Sequence, residues 1–282
     1  MKIDDHIVKA YLEGRKLTGC GEEWYFTRSE IAEAAGKNIF TEPENSAVMK
    51  EKVKQVYDEI CTSVKNFTPG NVEIWDALFH DWRAALEESA LDLIVGLPEP
   101  YDATALCDTS GNQHMIFDLV CWTKYLENYD LSQLVQNLLT HELCHVLLYQ
   151  QAEQLENALA SGDYLTKLDA VTFDEGFAHL VSYKGKNISE ISWKDDKLAE
   201  VWRKNSQRMK EALAEREPVE QNRKLDEAVC GKYNEKFACM CGMLYLADLR
   251  QSGGIQALQE VYAAGFRGFA QKAVYQDKNV FH

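Results

Sequence analysis

The sequence predicts a mainly helical α+β fold, and three observations carry that reading. Stretches with apolar residues at three-and-four spacing dominate both ends of the chain, two short β-rich runs stand near the middle, and an H-E-x-x-H motif lies on the helical stretch that follows them. With 282 residues, 46% hydrophobic and 27% charged, the chain can bury a substantial core. The change of period near Leu91 and the charged stretch beyond Gly185 divide it into a helical region 1–90, a mixed core 91–185 and a helical region 186–282, which one continuous domain can also hold.

Taken in order, residues 3–17 read as a short amphipathic helix, followed by a Gly-Cys-Gly break and a second helix over 24–35 that Gly36 ends. Thr41-Glu42-Pro43-Glu44 has the form of a capping box, opening a helix whose apolar stripe is Met49, Val53, Val56, Tyr57, Ile60, Val64 and Phe67. Thr68-Pro69-Gly70 stops it. Asn71 then caps a fourth helix carrying Ile74, Trp75, Leu78, Phe79, Trp82 and Leu86. Residues 91–97 and 114–122 are the β-rich runs, separated by Pro98, Pro100 and the turn signal Thr109-Ser110-Gly111-Asn112, so two or three strands precede the motif. An edge of that small sheet can take an extended peptide through main-chain hydrogen bonds.

The motif helix spans 130–150, with Asp130 as cap and Gln133 three positions on. After a polar connector through Ser161-Gly162-Asp163 comes an apolar helix over 173–183, with Gly185 as its stop. Residues 193–216 are dominated by charge and read as a solvated helix. Helical periodicity returns over 225–249, breaks at Ser252-Gly253-Gly254, and resumes over 255–274 with an interruption at Ala-Gly-Phe-Arg-Gly.

A formal charge of −15 opposes binding to phosphate backbones and anionic lipid surfaces, so neither nucleic acid nor membrane is an expected partner. The first residues lack a secretory pattern and no apolar run approaches a bilayer span, so the expected location is cytoplasmic. The eight cysteines are scattered, with no C-x-x-C pair, and read as reduced, mostly buried thiols.

Chemistry concentrates in His141-Glu142-Leu143-Cys144-His145. Residues four apart share a helix face, so two imidazoles can reach one metal ion while Glu142 stands beside it as a general base. Cys144 points away from that face. A hydrolytic zinc site needs a third protein ligand. Continuation as H-E-x-x-H-x-x-G-x-x-H is ruled out by Leu148 and Gln151 at the Gly and last His positions. The alternative is a Glu on a following helix, and Glu175 in Phe173-Asp174-Glu175-Gly176-Phe177-Ala178 fits, with Gly176 and Ala178 small enough for close helix approach. Thr172-x-x-Glu175 is equally a capping-box pattern, which would make Glu175 structural.

THELCH followed by DEGFAH resembles the gluzincin metallopeptidases, the thermolysin-like group whose second motif is E-G-x-A. The resemblance covers roughly residues 91–183 in organisation and the two motifs in identity. It implies a zincin-like core with the small mixed sheet packed on the motif helix, His141, His145 and Glu175 as Zn²⁺ ligands, and Glu142 as base. Thermolysin-like members carry an Asp four residues after the ligand Glu to orient a histidine. Here that position is His179, so His179 or Asp174 is expected to take the orienting role. Members also use a Tyr or His as oxyanion donor; Tyr233 is the candidate, with Tyr183 and Tyr245 as competitors. His6, His80, His114 and His282 show no partner pattern. The function expected is a zinc metallopeptidase acting on peptides or proteins. The alternatives are a binding or regulatory protein that keeps the fold, and a zinc hydrolase of a non-peptide amide.

Overall fold

The computed structural model describes residues 1–27, 38–99 and 101–275. In chain order it begins with β1 (Lys2–Asp4), α1 (His6–Leu12), α2 (Trp24–Thr27), α3 (Ala47–Lys65), α4 (Val72–Leu78) and α5 (Trp82–Glu88). Next come β2 (Ala90–Ile94), β3 (Ala103–Cys107), β4 (Gln113–Asp118), α6 (Leu119–Trp122), α7 (Leu131–Gln151), α8 (Glu153–Ser161) and α9 (Tyr164–Ser182). The chain closes with α10 (Asp196–Ala214), α11 (Pro218–Val229), α12 (Phe237–Ala264) and α13 (Phe269–Tyr275). Mainly helical with a small sheet, this is the α+β class expected. Among the described residues no helix is long and apolar enough to cross a membrane. The chain divides into two bodies, residues 1–69 with 81–146 and residues 70–80 with 147–282.

In the first body a mixed four-stranded sheet runs in the order β1-β2-β4-β3, with β1, β2 and β4 parallel and β3 antiparallel on the edge. Leu91, Leu93, Met115 and Phe117 alternate onto one face and are fully buried. Asp118 closes β4: its Oδ2 accepts the amides of Gly96 and Leu97 at 2.6 and 2.7 Å, and its Oδ1 those of Val120 and Cys121 at 2.9 Å. That carboxylate turns the chain out of the sheet into α6. At the other end of β4, His114 Nδ1 lies 2.6 Å from Asp92 Oδ2 on β2, and its Nε2 3.5 Å from Asp108 Oδ2. The Asp92 hydrogen bond raises the imidazole pKa above its ordinary value. His114 thus has a carboxylate partner that its sequence context did not reveal.

Several local expectations are corrected here. Residues 2–4 form a strand because β2 supplies a parallel partner, and the N-terminal helix is confined to His6–Leu12. Of the helix expected over 24–35, Trp24–Thr27 is observed and the rest lies outside the described residues. Ser46, not Thr41, caps α3, accepting the Met49 amide at 3.1 Å, while the Thr41 amide donates to Gly96 O. The buried stripe Val53, Val56 and Ile60 is as read.

The second body is built on α9 and α12, which cross where Gly176 meets Gly242. A Cβ on Gly176 would stand 2.9 Å from the Gly242 backbone, and one on Gly242 only 2.2 Å from Thr172 O. Gly176 is therefore small for α12, a partner the sequence reading had not named. Phe173, Phe177, Tyr245 and Phe269 fill the flanks. Asp169 accepts the amides of Gly268 and Ala270 and so caps α13 from the side of α9.

The helix expected over 71–86 is broken after Leu78, and Asn71 does not cap it. Asn71 adopts a left-handed conformation, φ 58, and its side chain donates to Val181 O and Lys186 O and accepts the Ile188 amide. Residues 153–161, read as connector, form α8, and α9 starts at Tyr164 with Asp163 as its cap. The solvated α10 does bury Trp202, Asn205, Met209 and Ala212 along one face. Gly254, φ 68, kinks α12 at the expected Gly-Gly break.

Candidate metal centre

Helix α7 carries the first motif as expected, from an Asp130 carboxylate that accepts the Gln133 amide at 3.2 Å to Gln151. Val135, Leu139, Leu143 and Val146 give it a buried stripe. His141 and His145 stand one turn apart with Nε2 atoms 3.1 Å from each other and rings nearly perpendicular, at 80°. Two ligands of a tetrahedral zinc ion, with bonds of about 2.0–2.1 Å, lie about 3.4 Å apart, so this pair is close to the separation such an ion imposes. Glu142 and His145 are buried, at 6% and 5% exposure, and Cys144 is fully enclosed.

Helix α9 carries the second motif. Its cap is Asp163, whose Oδ1 accepts the Thr166 amide at 3.0 Å. Thr172 therefore lies in mid-helix, its hydroxyl donating back to Leu168 O at 2.6 Å. The capping-box reading of Glu175 falls on that geometry. Glu175 Oε2 instead accepts the Cys239 thiol on α12, Sγ at 3.5 Å, while His179 Nδ1, 3.1 Å from the same oxygen, is hydrogen-bonded at 3.0 Å to the Glu175 backbone carbonyl. Burial, reinforced by the Glu175 charge, raises the Cys239 thiol pKa far above its usual value. Asp174 is turned elsewhere, and its Oδ2 accepts the Tyr149 hydroxyl at 2.9 Å.

The three candidate tyrosines separate clearly. Tyr233 lies in a 3-10 turn, Tyr233–Glu235, not on the helix expected to start near Leu225, and its ring is 5.4 Å from that of His179. It is 41% exposed as a residue, while burial of its hydroxyl raises that group's pKa. Tyr183 is buried against Trp193 and Tyr245 against Phe269.

His141 and His145 offer two imidazole nitrogens in the first body, and Glu175 and His179 a carboxylate and an imidazole in the second. Imidazole nitrogen with a carboxylate oxygen is the donor chemistry of zinc-type ions. His179, expected as an orienting residue, stands beside Glu175, and His145 stands beside His141. Cys239 was missed by sequence reasoning. It stands far along the chain from Glu175 in an apolar run, and only the Gly242 spacing one turn later hints at a helix crossing there.

Residues 41–272 match the model of a protein family described as "Putative zinc dependent peptidase (DUF5700)". Nothing among the curated proteins and nothing among the solved structures matches the chain.

Proposed function

The chain belongs to this peptidase family, and from that membership we propose that it is a zinc metallopeptidase of the gluzincin type, hydrolysing peptide bonds in peptides or proteins. One observation carries the reading: the Nε2 atoms of His141 and His145 lie 3.1 Å apart, close to the spacing of two ligands on one zinc ion, in a chain whose family is described as zinc dependent.

In this proposal His141, His145 and Glu175 hold the metal. A zinc ion bound there supplies Lewis acidity, bringing water towards ionisation near neutral pH and polarising a carbonyl. Glu142 takes the proton from the attacking water and passes it to the leaving amine. Tyr233, exposed and beside His179, donates its hydroxyl to the oxygen on which negative charge develops. His179 stands beside Glu175, its Nδ1 donating to the Glu175 backbone carbonyl at 3.0 Å, at the position where the thermolysin-like group carries its orienting Asp. Basic peptides gain from the chain's negative charge through steering during approach.

The test is a peptide-library digest with the full chain, with and without chelator, alongside Glu142→Gln. Cleavage that chelator abolishes, that added zinc restores, and that Glu142→Gln loses by about 10²-fold or more while its zinc content stays equal to wild type, supports the proposal. Absence of cleavage in a zinc-loaded protein would favour the binding module, and retained turnover in Glu142→Gln would remove the general base.

A further inference from the structure

The crossing of α9 and α12 does more than pack the second body. At Gly176 and Gly242 the two backbones are nearly in contact, so the residues flanking the crossing are held without play. Glu175 immediately precedes Gly176. Cys239 stands three residues before Gly242 and so shares its face of α12. The result is a thiol aimed at a carboxylate: Sγ lies 3.5 Å from Glu175 Oε2. A thiol has one proton, and its other acceptor, Ala228 O at 3.8 Å, is farther away and uncharged. Cys239 is fully buried, so no water competes for its proton.

From α9 itself, His179 Nδ1 stands 3.1 Å from the same Oε2, but its hydrogen bond, at 3.0 Å, is to the Glu175 backbone carbonyl. The thiol is therefore the donor that restricts rotation of the carboxylate about its last torsion. A glutamate otherwise keeps broad freedom there.

We infer that Cys239 is a positioning residue for Glu175: its thiol donates to Oε2 and orients the carboxylate so that Oε1 is the oxygen offered to the metal. The inference rests on the reading of Glu175 as a metal ligand. It assigns a role to a thiol that sits in an apolar helix and carries no motif of its own.

The experiment is zinc affinity of the full chain by competition with a chromophoric chelator, for wild type and for Cys239→Ala, Cys239→Val, Cys239→Ser and Glu175→Ala. Loss of the donor in Cys239→Ala and Cys239→Val weakens zinc binding about 10- to 100-fold, the usual effect of removing a group that orients a metal ligand. Cys239→Ser, which keeps a donor, recovers most of it. Valine keeps the volume and carries the comparison should the alanine variant fail to fold. Melting of the metal-free variants separates packing from positioning, because a packing role predicts that serine does no better than alanine. Wild-type affinity in Cys239→Ala and Cys239→Val overturns the inference while leaving the zinc site intact. Wild-type affinity in Glu175→Ala, or no zinc bound by wild type, overturns the underlying reading and the inference with it. A thiolate-to-cobalt charge-transfer band in the cobalt-substituted protein that Cys239→Ala removes would make Cys239 a ligand, and the inference would again be wrong.

Discussion

Replacing Gly242 by Ala tests the helix crossing on which Glu175 depends. The new methyl group would stand 2.2 Å from Thr172 O, where ordinary contact begins at 3.4 Å, and the opposing atom is backbone that no rotamer change can move. The helices must therefore separate by about 1 Å. Over-packing of this kind costs about 3 kcal/mol, and the opened gap forfeits part of the dispersion energy along the crossing. Alanine returns about 1 kcal/mol as the better helix former. The net loss is about 2–3 kcal/mol, or a melting temperature lower by roughly 5–10 °C for a chain of this size. The same shift carries Cys239 away from Glu175 and weakens zinc binding about tenfold. Thermal unfolding by circular dichroism, with chelator competition on the folded protein, reads both effects. A melting temperature equal to or above wild type would refute the close-crossing argument, and with it the geometric basis for the Cys239 contact.

Two further outcomes bear on particular residues. His145→Ala should weaken zinc binding by several orders of magnitude and His179→Ala by about 10- to 100-fold, as for an orienting group; chelator competition giving the reverse order would move the ligand role to His179. His114 has a raised pKa from its contact with Asp92, so its contribution to stability is fully present below the unfolded value of 6.5 and is lost as pH rises through the higher folded value. Urea midpoints of wild type and His114→Gln should accordingly differ most in mildly acidic buffer and converge at alkaline pH, and a gap that widens with pH would contradict the ion pair with Asp92 and Asp108.

What was legible in the sequence was what local geometry determines. The motif helix begins and ends within a residue of its expected limits because Asp130 caps it and its apolar period is unbroken. The spacing of His141 and His145 needs only a helix to bring two imidazoles together. Competition between neighbouring signals was not legible. Thr41 and Ser46 are both competent caps, and the choice of Ser46 follows from the Thr41 amide being taken by Gly96 O in the adjoining loop. Lys2–Asp4 is too short to show a period and is a strand only because β2 lies beside it. Asn71 resembles a cap by residue type, yet its partners lie more than a hundred residues ahead. For the candidate site, Glu175 is singled out by its motif, whereas its contact with Cys239 depends on how two helices cross, which no spacing along one chain encodes.

The bonds of Asn71 bear on how the second body can be made at all. Residues 70–80 come from the early part of the chain, yet they count with residues 147–282, where Asn71 ties down the turn after α9 and Phe79 packs on Tyr262. A fragment starting at residue 147 would lack this piece, so the second body is not separable by a single cut. During synthesis residues 70–80 leave the ribosome long before their partners and must wait for them. Closing so long a loop costs entropy before any contact repays it, which makes this insertion a late step in folding.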